Sequence, residues 1–313
     1  MYRIGVDLGG TKIAVASISE NNEIIRKLST PTEPQRGNEA VAADIARLIK
    51  QICEDDGVAP GDVSFVGIAA PGAINPETGY IERAHNLDME HFPIVEMVKT
   101  LSGVKNVKIE NDANAAALGE AVAGAAKGTR YSVMITLGTG VGGGFIIDGH
   151  VFSGFNYTGG EFGHMVICAG GRPCNCGRVG CWEAYSSATA LVAMTREAME
   201  AHPESELHKV AAEQGKVSGK TAFIASRRGD AAAQAVVDEY VAKLACGIVN
   251  VINLLQPDVL SLGGGISNEG DGLMIPLQKQ IDREIFIHGM GPSTEIRIAK
   301  LGNDAGLIGA ANL

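Results

Sequence analysis

Gly138-Thr139-Gly140-Val141-Gly142-Gly143-Gly144, set between the apolar runs 133–137 and 145–147, is the stretch on which the fold turns. Its glycines satisfy the G-x-G-x-x-G spacing of a dinucleotide site. That site needs a helix directly after the glycines, because the helix N-terminus takes the pyrophosphate. Phe145-Ile146-Ile147-Asp148-Gly149 instead reads as a strand running into a turn. The stretch is therefore a hairpin with a glycine tip, and a second hairpin matches it. Residues 2–18 and 131–147 share one layout: a tyrosine, an apolar strand, Leu-Gly, a glycine turn and another apolar strand, with Leu8-Gly9 corresponding to Leu137-Gly138. Two such hairpins near the starts of two halves predict a duplicated α/β fold. If their tips face one another, their unhindered N–H groups can cradle a nucleotide's phosphates. Thr11 and Lys12 add a hydroxyl and a cation at the first tip.

Outward from the hairpins, strands and helices alternate. Val41, Ile45, Leu48, Ile49 and Ile52 recur at helical spacing and predict an amphipathic helix over 38–54. Residues 63–69 read as an apolar strand opening into Ala70-Pro71-Gly72, a turn at a strand's carboxyl end, where α/β proteins place ligands. His85-Asn86-Leu87 reads as loop. A strand over 107–110 ends at Asn111-Asp112, and an alanine-rich helix over 113–126 follows. Asp112 thus sits at a strand-to-helix junction, where it either caps the helix or aims a carboxylate into the space above the sheet. Residues 184–201 and 231–255 read as helices, whereas 203–219 have little apolar pattern and read as loop or short helix. A strand over 259–262 leads into Gly263-Gly264-Gly265, a third glycine turn, suited to close approach of a flat ligand such as adenosine. A helix over 272–284, a strand over 295–301 and a short helix over 304–312 complete an α/β pattern.

A chain of 313 residues that is 45% hydrophobic can bury the cores of two domains or of one large one. The net charge of −10 and a pI near 5.2 argue against nucleic acid or an anionic membrane as bulk partners. A polyphosphate ligand remains compatible, since N–H groups and Mg2+ act locally. There is no basic leader with an apolar core and no run of 18 apolar residues, so neither a signal peptide nor a membrane helix is expected. G-x4-G-K-[ST] does not occur, which disfavours a P-loop ATPase. Cys53, Cys168 and Cys246 are scattered, as reduced buried thiols are, and a cytoplasmic setting is expected.

Between 159 and 183 the chain is most distinctive. Gly160-Glu161-Phe162-Gly163-His164 precedes Cys174-Asn175-Cys176-Gly177-Arg178-Val179-Gly180-Cys181-Trp182-Glu183, so half of the six cysteines lie within eight residues. Thiolates on so tight a loop can converge on one soft, tetrahedral ion, usually zinc; a disulfide or free thiols is the alternative. Three cysteines leave the fourth ligand to His164 or Cys168. Glu161 and Glu183 interleave with these residues. A metal clip would hold both carboxylates rigidly for a substrate; without one they are solvated side chains.

Together these residues resemble the ROK family of sugar kinases and repressors, in the actin-like ATPase superfamily, over essentially the whole chain. Asp7-Leu8-Gly9-Gly10-Thr11-Lys12 looks like the family's first phosphate motif, and Leu137-Gly138-Thr139-Gly140-Val141-Gly142-Gly143 like its second. Glu110-Asn111-Asp112-Ala113-Asn114-Ala115-Ala116 is similar to the catalytic segment, and the 160–183 stretch to the most specific signature. Within the family the sequence looks most like bacterial glucokinases. The resemblance implies an α/β chain of the actin-like ATPase (ribonuclease H-like) fold with two domains around a cleft. The small domain spans 1–114, with a helix at 302–313 returning to it, and the large one spans 115–301 and carries the zinc loop. It implies structural zinc on His164, Cys174, Cys176 and Cys181, leaving Cys168 out. Asn111, Asp112, Glu161, His164 and Glu183 become sugar contacts, with Asp112 the general base; Gly9, Gly10, Thr11, Lys12, Gly138, Thr139, Gly140, Gly264 and Gly265 become nucleotide contacts. ATP with Mg2+ is the implied donor and a homodimer or homotetramer the implied assembly.

The expected reaction is ATP-dependent phosphorylation of a hexose, with glucose favoured. An N-acetylglucosamine or N-acetylmannosamine kinase of the same family is the alternative, because Asn86-Leu87-Asp88-Met89-Glu90 lacks the tryptophan that follows Asn-Leu in many glucokinases. A non-catalytic sugar-sensing regulator of the family would carry a helix-turn-helix ahead of the first phosphate motif, which here begins at Asp7. A filament-forming actin-like ATPase would need neither the zinc loop nor the carboxylates.

Overall fold

A computed structural model describes residues 2–286, 289 and 291–313. Two five-stranded sheets share one strand plan. In the first, the order is Ile24–Pro31, Lys12–Ile18, Arg3–Leu8, Phe65–Ala70 and Val107–Asn111. The first three strands pair antiparallel and the last two are added in parallel. In the second, the order is His150–Val151, Val141–Ile147, Tyr131–Leu137, Val259–Gly263 and Glu295–Ile298, again with an antiparallel pair at one end and a parallel pair at the other. The glycine stretch is thus a hairpin of the second sheet, and its counterpart holds the same place in the first. A small antiparallel sheet of Ala73–Asn75, Tyr80–Ala84 and Met89–Phe92 is a further element.

The packing of the first sheet explains why its edge can present a site. Ile4, Val6 and Leu8 share one buried cluster with Val41, Ile45, Leu48, Ile49 and Ile52 of the Asn38–Asp55 helix. Each buried side chain of this kind contributes at most about 1.5–3 kcal/mol. On the opposite face the helix Ala305–Ala310 lies directly against backbone. A Cβ on Gly5 would come within 1.9 Å of the Leu307 carbonyl oxygen, and one on Gly67 within 1.7 Å of that of Ala310. Only glycine permits that approach, and it fixes the strand that carries Asp7.

By packing, the chain divides into one unit of Met1–Met134, Gly144–Gly160 and Ala299–Leu313 and another of Ile135–Gly143 and Glu161–Ile298. Within the first unit, Ala117 and Leu118 of the Asp112–Val122 helix pack with Met134 and Ile146. The helix expected over 184–201 is interrupted. Ser187 leaves the helical conformation and accepts a hydrogen bond from the Ala190 N–H at 3.0 Å, so Glu183–Ser186 and Ala188–Ala201 are separate. Residues 203–219 hold the short helix Leu207–Glu213, and Thr221–Arg227 forms another. Among the described residues no helix is long and apolar enough to cross a membrane.

Candidate active site

In the first unit, the hairpin tip is closed by a bond from the Gly9 N–H to the Lys12 carbonyl at 3.0 Å. Buried Thr32 braces it, with its hydroxyl donating to the Gly9 carbonyl at 2.6 Å and its N–H to the Thr11 carbonyl at 3.1 Å. The Thr11 and Lys12 side chains are left facing water. Gly10 lies under the His85–Leu87 turn: a Cβ there would be 3.1 Å from the Asn86 carbonyl oxygen.

At the junction after Val107–Asn111 the cap position falls to the residue before Asp112. Asn111 is the cap: its Oδ1 accepts from the N–H groups of Ala113 at 2.9 Å and Asn114 at 3.3 Å, while its Nδ2 donates to the Gly72 carbonyl at 3.1 Å. Asp112 is the first helical residue, and its carboxylate accepts one bond, from the Ala113 N–H at 2.8 Å. The side chain reaches water on one side. Burial on the others pushes its carboxyl above the ordinary aspartate range, against the pull of the local N–H groups. Asp7 is likewise pushed up by burial and further by the charge of Asp112, with Lys12 and Lys27 opposing. A third carboxyl has no role in the sequence reading. Glu110 is buried and raised by that burial, although it accepts from the Asn111 N–H at 2.8 Å and from Asn114 Nδ2 at 3.0 Å. It anchors the segment that presents Asp112.

In the second unit, the Gly138 N–H donates to the Gly140 carbonyl at 3.0 Å, and Thr189 and Ala188 bond the carbonyls of Thr139 and Gly138, both at 2.8 Å. Glu183 joins this loop to the cysteine loop, its Oε2 accepting from the Val141 N–H at 3.0 Å. A Cβ on Gly140 would sit 2.3 Å from that oxygen, so any other residue there must displace the end of the Glu183 side chain. Glu161 is 67% exposed, and its Oε2 lies 4.0 Å from Nε2 of His164.

His164, Cys174, Cys176 and Cys181 bring their ligand atoms within 4.8 Å of one another. A tetrahedral zinc with S and N ligands at about 2.3 and 2.05 Å requires S···S near ~3.8 Å and S···N near ~3.6 Å. Cys176 and Cys181 have their sulfurs 3.7 Å apart, and Cys174 Sγ lies 3.6 Å from Nδ1 of His164. The donor set therefore fits that ion. Cys168 stands outside the cluster, accepting from Lys243 Nζ at 3.2 Å. With Nδ1 among the thiols, Nε2 of His164 faces the Glu161 side.

The third glycine turn closes on the second hairpin. Gly264 has φ 90°, and a Cβ there would approach the Leu137 carbonyl oxygen to 2.3 Å. Beside it a cavity of about 440 Å3 is bounded by Gly138, Thr139, Gly265 and Ile266 and by three residues that the sequence does not single out, Lys216, Lys220 and Glu269.

These sheets and sites define an actin-like ATPase fold. The ROK family matches residues 3–313, and the chain belongs to that family. It is 38% identical to a glucokinase of Halalkalibacterium halodurans, over 98% of this chain and 93% of that one. A ROK family glucokinase from Streptomyces griseus, solved in complex with glucose and AMPPNP, is 34% identical and superposes with a TM-score of 0.79 over 100% of this chain and 98% of that one. A ROK hexokinase from Thermus thermophilus is 32% identical, with a TM-score of 0.84 over 100% and 97%.

Proposed function

We propose that this protein is an ATP-dependent hexose kinase that converts glucose to glucose 6-phosphate. The observation that carries the reading is the carboxylate of Asp112, relieved of capping by Asn111 and pushed by burial towards greater proton affinity. A sugar hydroxyl is a poor nucleophile and must lose its proton as it attacks the γ-phosphate. Asp112 accepts that proton from the hydroxyl at carbon 6. Asn111, Glu161, His164 and Glu183 hold the sugar, the two glutamates and the imidazole on the hydroxyls at carbons 1 to 3. Carboxylates accept from paired hydroxyls, and the second Nδ2 hydrogen of Asn111 is left to donate. Kinship with glucokinases over nearly the whole chain supports glucose as the acceptor.

The donor is held by Gly9, Gly10, Thr11 and Lys12 in the first loop, by Gly138, Thr139 and Gly140 in the second, and by Gly264 and Gly265. Their N–H groups, the Thr11 hydroxyl and the Lys12 ammonium meet phosphate charge without a side chain in the way. Mg2+ bound with ATP would supply charge neutralisation on the phosphates. Zinc on His164, Cys174, Cys176 and Cys181 has a structural part, fixing the loop that presents Glu161, His164 and Glu183. Residues 1–114 with 302–313 and residues 115–301 move as the family's two domains. The protein works in the cytoplasm as a homodimer or homotetramer.

A coupled ADP-release assay over glucose, mannose, fructose, N-acetylglucosamine and N-acetylmannosamine tests the reading. Glucose should give the highest kcat/KM, because a site built on hydroxyl bonds discriminates in the transition state. An N-acetyl sugar ahead of glucose would overturn the substrate and leave the kinase. No ADP release with any sugar would overturn the kinase.

A further inference from the structure

The cavity beside Gly138 and Gly265 holds a carboxylate that the reaction as described leaves without a task. The Glu269 side chain is 6% exposed, yet it lines this cavity. Arg227 Nη1 donates to its Oε2 at 2.8 Å, and among the described residues no bond is formed by Oε1. An ionised carboxylate accepts and cannot donate, so whatever meets Oε1 must carry O–H or N–H groups. Lys216 and Lys220 line the same cavity, and neither ammonium has an ion-pair partner among the described residues. Arg227 compensates Glu269, so the lysines leave the cavity net positive in a chain of net charge −10. A ligand suited to these walls is anionic at one part and hydroxylated at another. Ile266 and Gly219, which pack so closely that a Cβ on Gly219 would lie 2.6 Å from the Ile266 side chain, offer a flat apolar surface for a base.

We propose that Glu269 reads the ribose of the phosphate donor, with Oε1 accepting from a ribose hydroxyl, so that the pocket selects ribonucleotides over deoxyribonucleotides. This rests on the reading of the protein as an ATP-dependent kinase. Ribose is preferred to the base as the partner for a physical reason. The amino group of adenine is flanked by ring nitrogens that present lone pairs, which repel a carboxylate, whereas the two vicinal ribose hydroxyls both donate. Arg227 acts as a positioning residue, since it fixes Oε2 and so turns Oε1 towards the cavity. Lys216 and Lys220 supply charge for the phosphates of the same ligand.

The test compares kcat/KM for ATP, 2′-deoxyATP, 3′-deoxyATP and ITP at saturating glucose, in the wild type, Glu269→Gln and Glu269→Ala. The wild type should disfavour at least one deoxynucleotide by about 10- to 100-fold, the worth of one hydrogen bond to a charged group. In Glu269→Ala, ATP should fall to the level of that deoxynucleotide and the preference should vanish, with Glu269→Gln between. The KM for glucose should not move. Equal use of all three adenine nucleotides by the wild type, or an unchanged preference in Glu269→Ala, would overturn the proposal. Loss confined to ITP would assign Glu269 to the base and overturn it as well. Arg227→Met separates reading from scaffolding: it frees the carboxylate from its positioning partner but keeps it in the cavity, so it should weaken the ribose preference without abolishing it, whereas a merely structural pair would make Arg227→Met and Glu269→Ala alike. If no sugar is phosphorylated with any nucleotide, calorimetric titration with ADP, 2′-deoxyADP and 3′-deoxyADP makes the same comparison and judges the pocket apart from the reaction.

Discussion

Asp112 and Glu183 each open a helix, and the two carboxylates are held in opposite ways. At such a position a carboxylate is favoured by the helix dipole and by unpaired N–H groups. Glu183 uses that opportunity across the chain, binding the Val141 N–H at 3.0 Å and resting 3.8 Å from the Cys174 sulfur. Asp112 stays local: Asn111 supplies the cap, and the neighbouring carboxylate meets the N–H groups of Ala113 and of Asp112 itself. Burial then raises the proton affinity of Asp112. One chemical group at one local position thus takes two environments, bound across the chain in Glu183 and partly desolvated beside a cap in Asp112. The residue beside it makes the difference.

The sharpest way to break that comparison is Asp112→Asn. The amide keeps the shape and cannot take a proton, so kcat should fall about 10^2-fold or more while sugar binding is largely kept. Steady-state kinetics with a direct glucose titration would check it. Near-native turnover would reduce Asp112 to an ordinary first-turn residue and leave Glu183 without a contrasting partner.

The tied member depends on the thiol cluster, so Cys176→Ser should lower zinc content below one per chain and cut kcat/KM by about tenfold or more, as Glu161, His164 and Glu183 lose common support. Metal analysis beside kinetics decides this. Freshly purified wild type that is fully active without zinc would remove the link between the cysteines and the carboxylates.

How much of this could be read from the residues differs between the two carboxylates for the same reason that their roles differ. The cysteine loop and the two hairpins announce themselves, because thiol clustering and glycine tips are local chemistry that survives any tertiary context. Asn111-Asp112 does not, since both residues cap helices well and adjacency alone cannot choose between them. That choice is made by the Gly72 carbonyl, which takes the Asn111 amide from 39 positions away. Glu269 and Lys216 were illegible for a stronger version of this reason: only the packing of Gly219 on Ile266 brings their segments to one cavity. The strand Ile24–Pro31 was missed because it is a sheet edge whose Ile25, Arg26 and Lys27 are exposed, so no apolar alternation marks it.

A smaller effect should come from Gly140→Ala. The added Cβ would meet Glu183 Oε2 at 2.3 Å and must displace the end of that side chain. Because the carboxylate belongs to a flexible glutamate, the loop should fold. The expected cost is a several-fold rise in the KM for glucose with kcat less affected, the signature of lost binding rather than lost proton transfer. Equal damage to kcat would mean that the tie also serves the chemical step.

The smallest effect concerns stability and runs against the activity. Asp112 has its carboxyl raised in the folded protein above the ordinary value of 3.8, so ionising it costs more folded than unfolded. Below that ordinary value the group is protonated in both states and contributes no difference. As pH rises through it and past the higher folded value, the folded state loses stability, and the full penalty applies at neutral pH. Asp112→Asn removes the penalty. It also forgoes the dipole benefit of a charge in the first helical turn, about 0.3–1 kcal/mol, but the upward direction of the shift shows that burial outweighs the local N–H groups. Asp7 adds to the gain, because the Asp112 charge is one cause of its own raised carboxyl. Since Asp112 also reaches water, the net rise in Tm at pH 7 should be only about 1–3 °C, shrinking to nothing as the pH falls below 4. Thermal melts of both proteins from pH 3.5 to 8 would show it. A variant less stable than the wild type at neutral pH would mean that the dipole holds Asp112 as firmly as the loop N–H holds Glu183, and the contrast between the two carboxylates would fail on its own terms.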